Sequence, residues 1–116
     1  MPVQIARVYD IPDRDQGYRV LVDRVWPRGM KKASLQLDEW CRDLAPSSEL
    51  RKWFGHDSER WEEFRRRYLK ELEAHSETLE RLREVAQHQP LLLLYSARDQ
   101  DHNQAVVLRE LLLKQH

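Results

Sequence analysis

Pro90-Leu91-Leu92-Leu93-Leu94-Tyr95-Ser96-Ala97-Arg98-Asp99 is the stretch on which the fold turns. Its apolar run follows a proline and ends in small and polar side chains. It is short, and apolar at every position rather than at alternate ones, so it reads as a central strand covered on both faces; the alternative is a buried turn of helix. Before it, Leu79, Leu82, Val85 and Ala86 keep helical spacing from a break near Ser76 until Pro90 ends the pattern. After it, Asp101 and Gln104 have the spacing of a capping box, and Ala105, Leu108, Leu111 and Leu112 continue a helix to the terminus. A strand set between two helices is the repeating unit of an α/β domain.

The first half of the chain supplies its partners. Residues 18–25 contain Val20-Leu21-Val22, a second run suited to a strand buried on both faces. Trp26-Pro27-Arg28-Gly29 stops it, because Pro27 has no N–H to give to a ladder and Gly29 frees the backbone. Residues 3–9 place Val3, Ile5 and Tyr9 between small or polar positions, as in a strand covered mainly on one face. Residues 10–17 hold Pro12, Gly17 and three aspartates, the chemistry of a loop. Residues 35–44 fit either a short strand or a turn of helix.

A short helix follows Pro46-Ser47-Ser48 with Leu50, Trp53 and Phe54 on one face, and Gly55 is placed to close it in a left-handed cap. Asp57 or Ser58 caps the next helix, where Trp61, Phe64, Tyr68 and Leu72 face inward while Glu62/Arg66 and Glu63/Arg67 can pair outside. The expected order is β-β-(β)-α-α-α-β-α: an α/β fold with a small central sheet of about three to four strands flanked by helices. No internal repeat or low-complexity tract interrupts it.

Composition bounds the function. The 116 residues suit one domain spanning 1–116, and 41% apolar residues with four Trp and three Gly suffice for a core. Twenty basic and twenty acidic residues leave a formal net charge of zero. That balance gives no general attraction to nucleic acid or to an anionic membrane, and it favours self-association into a homo-oligomer. Cys41 is the single cysteine, so no internal disulfide forms. The first residues lack the basic-then-apolar pattern of a signal peptide and no stretch is long enough to span a bilayer, so a cytoplasmic protein without membrane association is expected.

The unusual polar residues stand just after the two buried strands. Ligands of open α/β sheets bind outside the carboxyl ends of the strands, so if these two run parallel, both polar segments meet at one edge. Arg24, Arg28 and Arg98 suit a phosphate or carboxylate, and the N-terminus of the last helix favours an anion. On this reading Asp99 and His102 are the candidate catalytic pair, and Arg24, Trp26, Arg28, Ser96, Arg98 and Asn103 bind substrate. The competing reading pairs Asp23 and Asp99 with the arginines as structural salt bridges.

Other features are weaker. Asp99, Asp101, His102 and His56 are metal-ligand types, but the Asp-x-Asp-His run is explained by helix capping, and no metal is assigned. No cofactor follows from any pattern. His56 follows the Trp53-Phe54-Gly55 turn and has the chemistry of an acid or base near neutral pH, but a helix-end histidine without a catalytic task is the preferred reading. Cys41 lacks a partner base in its local sequence, which argues against a nucleophile. Trp40, Trp53 and Trp61 are expected in the core, and Trp26 is the best candidate for a site wall, with a core position as its alternative. Arg65-Arg66-Arg67 is offset by Glu59, Glu62, Glu63 and Glu71 and reads as a solvated helix face.

Several longer blocks carry a family resemblance: Arg19-Val20-Leu21-Val22-Asp23-Arg24-Val25-Trp26-Pro27-Arg28-Gly29, Leu44-Ala45-Pro46-Ser47, Leu50-Arg51-Lys52-Trp53-Phe54-Gly55-His56-Asp57 and Tyr95-Ser96-Ala97-Arg98-Asp99, continuing through His102-Asn103-Gln104-Ala105. Together they resemble, in order and over almost the whole chain, the YeaO-like family of uncharacterised proteins, domain of unknown function family 488. Ser58 stands where many relatives carry proline. The resemblance implies a compact α/β fold in prokaryotic cytosolic proteins and brings no established activity. Some members are labelled transcriptional regulators, but no helix-turn-helix with a basic recognition helix is visible here.

The leading functional expectation is a small-molecule enzyme, a hydrolase or transferase, acting on an anionic substrate that is nucleotide-like or phosphorylated. Its rivals are a noncatalytic anion-sensing or protein-interaction module and a nucleic-acid-binding regulator.

Overall fold

The computed structural model describes residues 3–11 and 17–114. Strands Val3–Arg7 (β1), Tyr18–Leu21 (β2), Glu39–Trp40 (β3) and Leu91–Tyr95 (β4) make one sheet in the order β1-β4-β2-β3, each neighbouring pair parallel. Helices are Lys32–Leu35 (α1), Ser48–Phe54 (α2), Trp61–Leu72 (α3), Ser76–His88 (α4) and Gln104–Leu113 (α5). The mixed α/β class and the element order agree with the sequence reading. β4 lies between β1 and β2, with Leu91 opposite both Val3 and Tyr18. The two strands read from the sequence as doubly covered are therefore the central pair.

Side-chain alternation divides the core. Val20, Val22, Leu91, Leu93 and Tyr95 point into a large cluster with Phe54, Phe64, Tyr68, Leu72, Leu82 and Leu108, so α2 to α5 share one face of the sheet. Leu21 and Leu94 point the other way, where Val8 and Leu35 complete a small buried cluster edged by partly buried Trp26, Met30, Leu37 and Trp40. That second face has a cover of loop and a single helical turn.

Boundaries follow local chemistry. β1 stops two residues short of the expected end, because Val8–Asp10 turns into a 3-10 helix. β2 was expected to reach residue 25 but ends at Leu21; Val22 still donates to the Leu94 carbonyl at 3.0 Å before the chain turns away toward Pro27. The ambiguous 35–44 segment contains both alternatives: α1 closes at Gln36 with φ 49°, and β3 follows three residues later. Gly55, φ 53°, closes α2 as expected, its N–H bonding the Arg51 carbonyl. Asp57 caps a 3-10 turn ahead of α3, and a second such turn, Glu73–His75, separates α3 from α4 at the expected break. Arg66 pairs with Glu63 rather than Glu62, so Glu63 holds both Arg66 and Arg67. For the loop expected at 10–17, residues 12–16 lie outside the described residues.

Candidate functional site at the carboxyl edge of the sheet

Because the strands are parallel, the segments after β1, β2 and β4 emerge on one edge. Asp23 stands at its centre, 8% exposed. Its carboxylate accepts from Ser96 Oγ at 2.5 Å and from Gln104 Nε2 at 2.6 Å, and its carbonyl accepts from Trp40 Nε1 at 2.7 Å. One residue thus joins β4, α5 and β3 to the end of β2. Burial pushes its carboxyl above the ordinary range, against the opposing pull of the Ser96 and Gln104 hydrogen bonds.

Arg24 turns back into the protein. Its guanidinium donates to the carbonyls of Pro46 and Ala45 at 3.2 and 3.3 Å. The next anchors along that segment come from α3: Tyr68 donates its buried hydroxyl to the Leu44 carbonyl, and Glu71 accepts from Ser47 N and Oγ at 2.9 and 2.7 Å. The Leu44-Ala45-Pro46-Ser47 block is therefore held at each of its four residues. Ser47 then caps α2 through the Leu50 N–H.

At the end of β4, Asp99 accepts from the N–H groups of Asp101 and His102 at 2.9 and 3.0 Å, and its other oxygen lies 2.8 Å from His102 Nδ1. The Asp101 N–H first, and then the His102 ring and its backbone N–H, hold the Asp99 carboxyl below its ordinary value. The His102 ring also meets Trp61 of α3 edge-on at 5.2 Å. Asn103, buried, is the N-cap of α5: its Oδ1 takes the Ala105 and Val106 N–H groups while its Nδ2 donates to the Asp99 carbonyl. The capping box expected between Asp101 and Gln104 does not form, because Gln104 is drawn to Asp23 and Asn103 already has extended backbone, φ −147° and ψ 169°.

The remaining two arginines face outward. Arg28 is exposed at the corner of a turn closed by Met30 N to Pro27 O at 3.3 Å, with Gly29 at φ 79°. Arg98 is exposed on the loop after β4. Neither guanidinium has a hydrogen-bond or ion-pair partner among the described residues. Their backbones are linked through the end of β1 and the 3-10 turn after it: Tyr9 donates to the Arg28 carbonyl at 2.8 Å, the Arg7 guanidinium lies 4.7 Å from the Tyr9 ring centre, and Arg7 Nε donates to the Ala97 carbonyl at 3.0 Å.

The expected assembly is thus divided. Ser96 belongs to the Asp23 cluster; Asp99, His102 and Asn103 form a capping cluster; Arg28 and Arg98 line the rim; Arg24 points away. Trp26 lies on the second face, its ring edge-on to Trp40 at 5.2 Å and its N–H on the Met30 carbonyl at 2.7 Å. The salt-bridge alternative is not seen, since neither Asp23 nor Asp99 pairs with an arginine among the described residues. The sequence reading did not assign Arg7, Tyr9 or Gln104 to the edge; it gave Tyr9 to the first strand and Gln104 to a capping box. A basic residue ending β1 was the available signal for Arg7; for Gln104 there was none.

Cys41 donates to Glu39 at 2.8 Å, and burial followed by that carboxylate pushes its thiol up to about 12. His56 is exposed with φ 57°. The described residues hold no group of three or more His, Cys, Asp or Glu placed to bind a metal, and no helix among them is long and apolar enough to cross a membrane.

A parallel α/β domain with a capped, polar carboxyl edge is the class that fold and site define. The chain belongs to the family described as the inactive DUF488-N3 subclade, whose model matches residues 2–116. It is 48% identical over 110 residues to the uncharacterized protein YeaO of Escherichia coli K12, covering 95% of this chain and 96% of that one. It is 43% identical over 110 residues to the uncharacterized protein Rv3073c of Mycobacterium tuberculosis H37Rv and, equally, to Mb3100c of Mycobacterium bovis, covering 95% of this chain and 92% of each. The YeaO-like resemblance is thereby borne out. No solved structure matches the chain.

Proposed function

We propose that this protein is a noncatalytic module that binds an anionic group at the carboxyl edge of its sheet. The supporting observation is the unequal use of the polar residues there. Both oxygens of Asp99 are occupied by neighbouring N–H groups and by His102, which leaves the pair acting as a cap rather than as an acid and base turned to a reacting group. The guanidinium groups of Arg28 and Arg98, in contrast, stand unengaged among the described residues, with the planar donor geometry that suits phosphate and carboxylate. The description of the family as inactive agrees with binding in place of turnover.

The test is a thermal-shift series with inorganic phosphate, pyrophosphate, nucleotides and dicarboxylates. An anion at about 100 times its Kd contributes roughly 2.7 kcal/mol, a rise on the order of 10 °C for a domain of this size. The rise is expected to vanish in Arg28→Ala/Arg98→Ala and to persist in Asp99→Asn. Product formation that is lost in Asp99→Asn would overturn the proposal in favour of the hydrolase or transferase reading, and a series without any shift would remove the anion site itself.

A further inference from the structure

A run of basic residues uninterrupted by an acidic one lies on the thin side of the sheet. Residues 24–32, Arg-Val-Trp-Pro-Arg-Gly-Met-Lys-Lys, contain four basic residues and no acidic one in a chain whose net charge is zero. Arg24 is spent on backbone carbonyls. Arg28, Lys31 and Lys32 are exposed and have no ion pair among the described residues. On the helical side most arginines are paired, Arg65 with Glu110, Arg66 and Arg67 with Glu63, Arg81 with Glu39, and Arg83 with Glu80, while Arg51, Lys52 and Lys70 have no ion pair among the described residues. The 24–32 segment is set apart because its cations follow one another with no acidic residue among them.

The same segment exposes apolar surface and is held in shape. Val25 is 59% exposed, and Trp26 and Met30 beside it are half-buried. Trp26 is fixed through its N–H and against Trp40, the turn is closed between Pro27 and Met30, and Tyr9 holds the Arg28 carbonyl. A surface ordered in advance loses little conformational entropy when covered. Cations interleaved with an apolar contact fit a partner with carboxylates around an apolar side chain.

We propose that residues 24–32 dock an acidic segment of a partner protein, its Asp or Glu side chains on Arg28, Lys31 and Lys32 and an apolar side chain against Val25 and Trp26. This rests on the carboxyl-edge reading only through Arg28, because Lys31, Lys32 and Val25 lie outside that site. A nucleic acid is the poorer fit. The Trp26 ring is half-buried against Trp40 rather than free for a base to stack on, and an exposed valine offers nothing to a phosphate backbone.

The experiment pans a random peptide library against the full chain and measures synthetic copies of the enriched peptides by fluorescence anisotropy. Enriched peptides are expected to be acidic with at least one apolar residue, and to weaken with salt. They should lose roughly tenfold or more in affinity for Lys31→Glu/Lys32→Glu and for Val25→Asp, two surface changes on separate parts of the loop. Neutral or basic winners, no winners, or acidic peptides indifferent to both variants would overturn the proposal, as would a labelled DNA duplex that binds more tightly and is lost in the same variants. Arg98→Ala separates the two readings. Peptide binding that survives it while the small-anion shift disappears supports docking; a shift that persists in Lys31→Glu/Lys32→Glu without any peptide binding leaves the edge site standing and ends the docking proposal.

Discussion

Asp23 and Asp99 follow the ends of two neighbouring strands, and the fold uses them in opposite ways. Asp23 is buried, receives only neutral donors, and has its carboxyl raised by desolvation. Asp99 is partly exposed, gathers two backbone N–H groups and a histidine, and has its carboxyl lowered by them. The first joins four elements at the cost of desolvating a charge; the second shapes the loop between β4 and the start of α5. Residue type and position after a strand are common to both, so their difference comes from what each finds three-dimensionally close.

That comparison can be broken most easily at Asp23. Asp23→Ala leaves the Ser96 hydroxyl and the Gln104 amide without their acceptor, an expected loss of about 2 kcal/mol in urea unfolding. A smaller loss than that of Asp99→Ala would remove Asp23 from the centre of the edge. Asn103→Ala orphans two N–H groups of α5 and is expected to cost about 1 kcal/mol, mostly recovered in Asn103→Ser or Asn103→Asp. If Asn103→Ala is silent while Asp101→Ala is costly, the cap lies where the sequence pattern first placed it.

The smallest effect concerns pH and sharpens the contrast by its sign. The Asp99 carboxyl titrates lower in the folded state, so its stabilisation is fully present above the ordinary carboxyl range and is lost as pH falls through the depressed value. Asp23 titrates higher when folded, so its share is greatest below the ordinary range and declines as pH rises through the raised value. Chemical unfolding from neutral into acid should therefore show Asp99→Asn losing less stability than wild type and Asp23→Asn losing more. Curves displaced in the same direction would refute the assignment of opposite roles.

The sequence made the central strands legible because each is an unbroken apolar run between turn residues, and the helices legible because Trp61, Phe64, Tyr68 and Leu72 keep a period that solvent exposure would not require. β3 was only half legible: two residues, Glu39 and Trp40, are too few to show alternation. At the edge, the meeting of the strand ends followed from their parallel direction, but the bonds did not. Arg24 could be placed beside the other arginines by sequence alone, whereas the carbonyls that hold it belong to residues more than twenty positions away. Asp99, Asp101 and Asn103 share the same capping chemistry, and backbone angles rather than composition chose among them.

The place of β4 has a consequence for synthesis. The strand that joins β1 to β2 is made last, so the N-terminal third of the chain leaves the ribosome with a gap where its main pairing partner belongs. At about 5–20 residues per second, Val20, Leu21 and Val22 wait on the order of 4 to 15 s for Leu93 and Leu94 to arrive. During that interval they present an apolar edge that the finished protein never shows. A nascent chain of this design has reason to meet a chaperone early, and a truncation before residue 91 is expected to aggregate where the full chain folds.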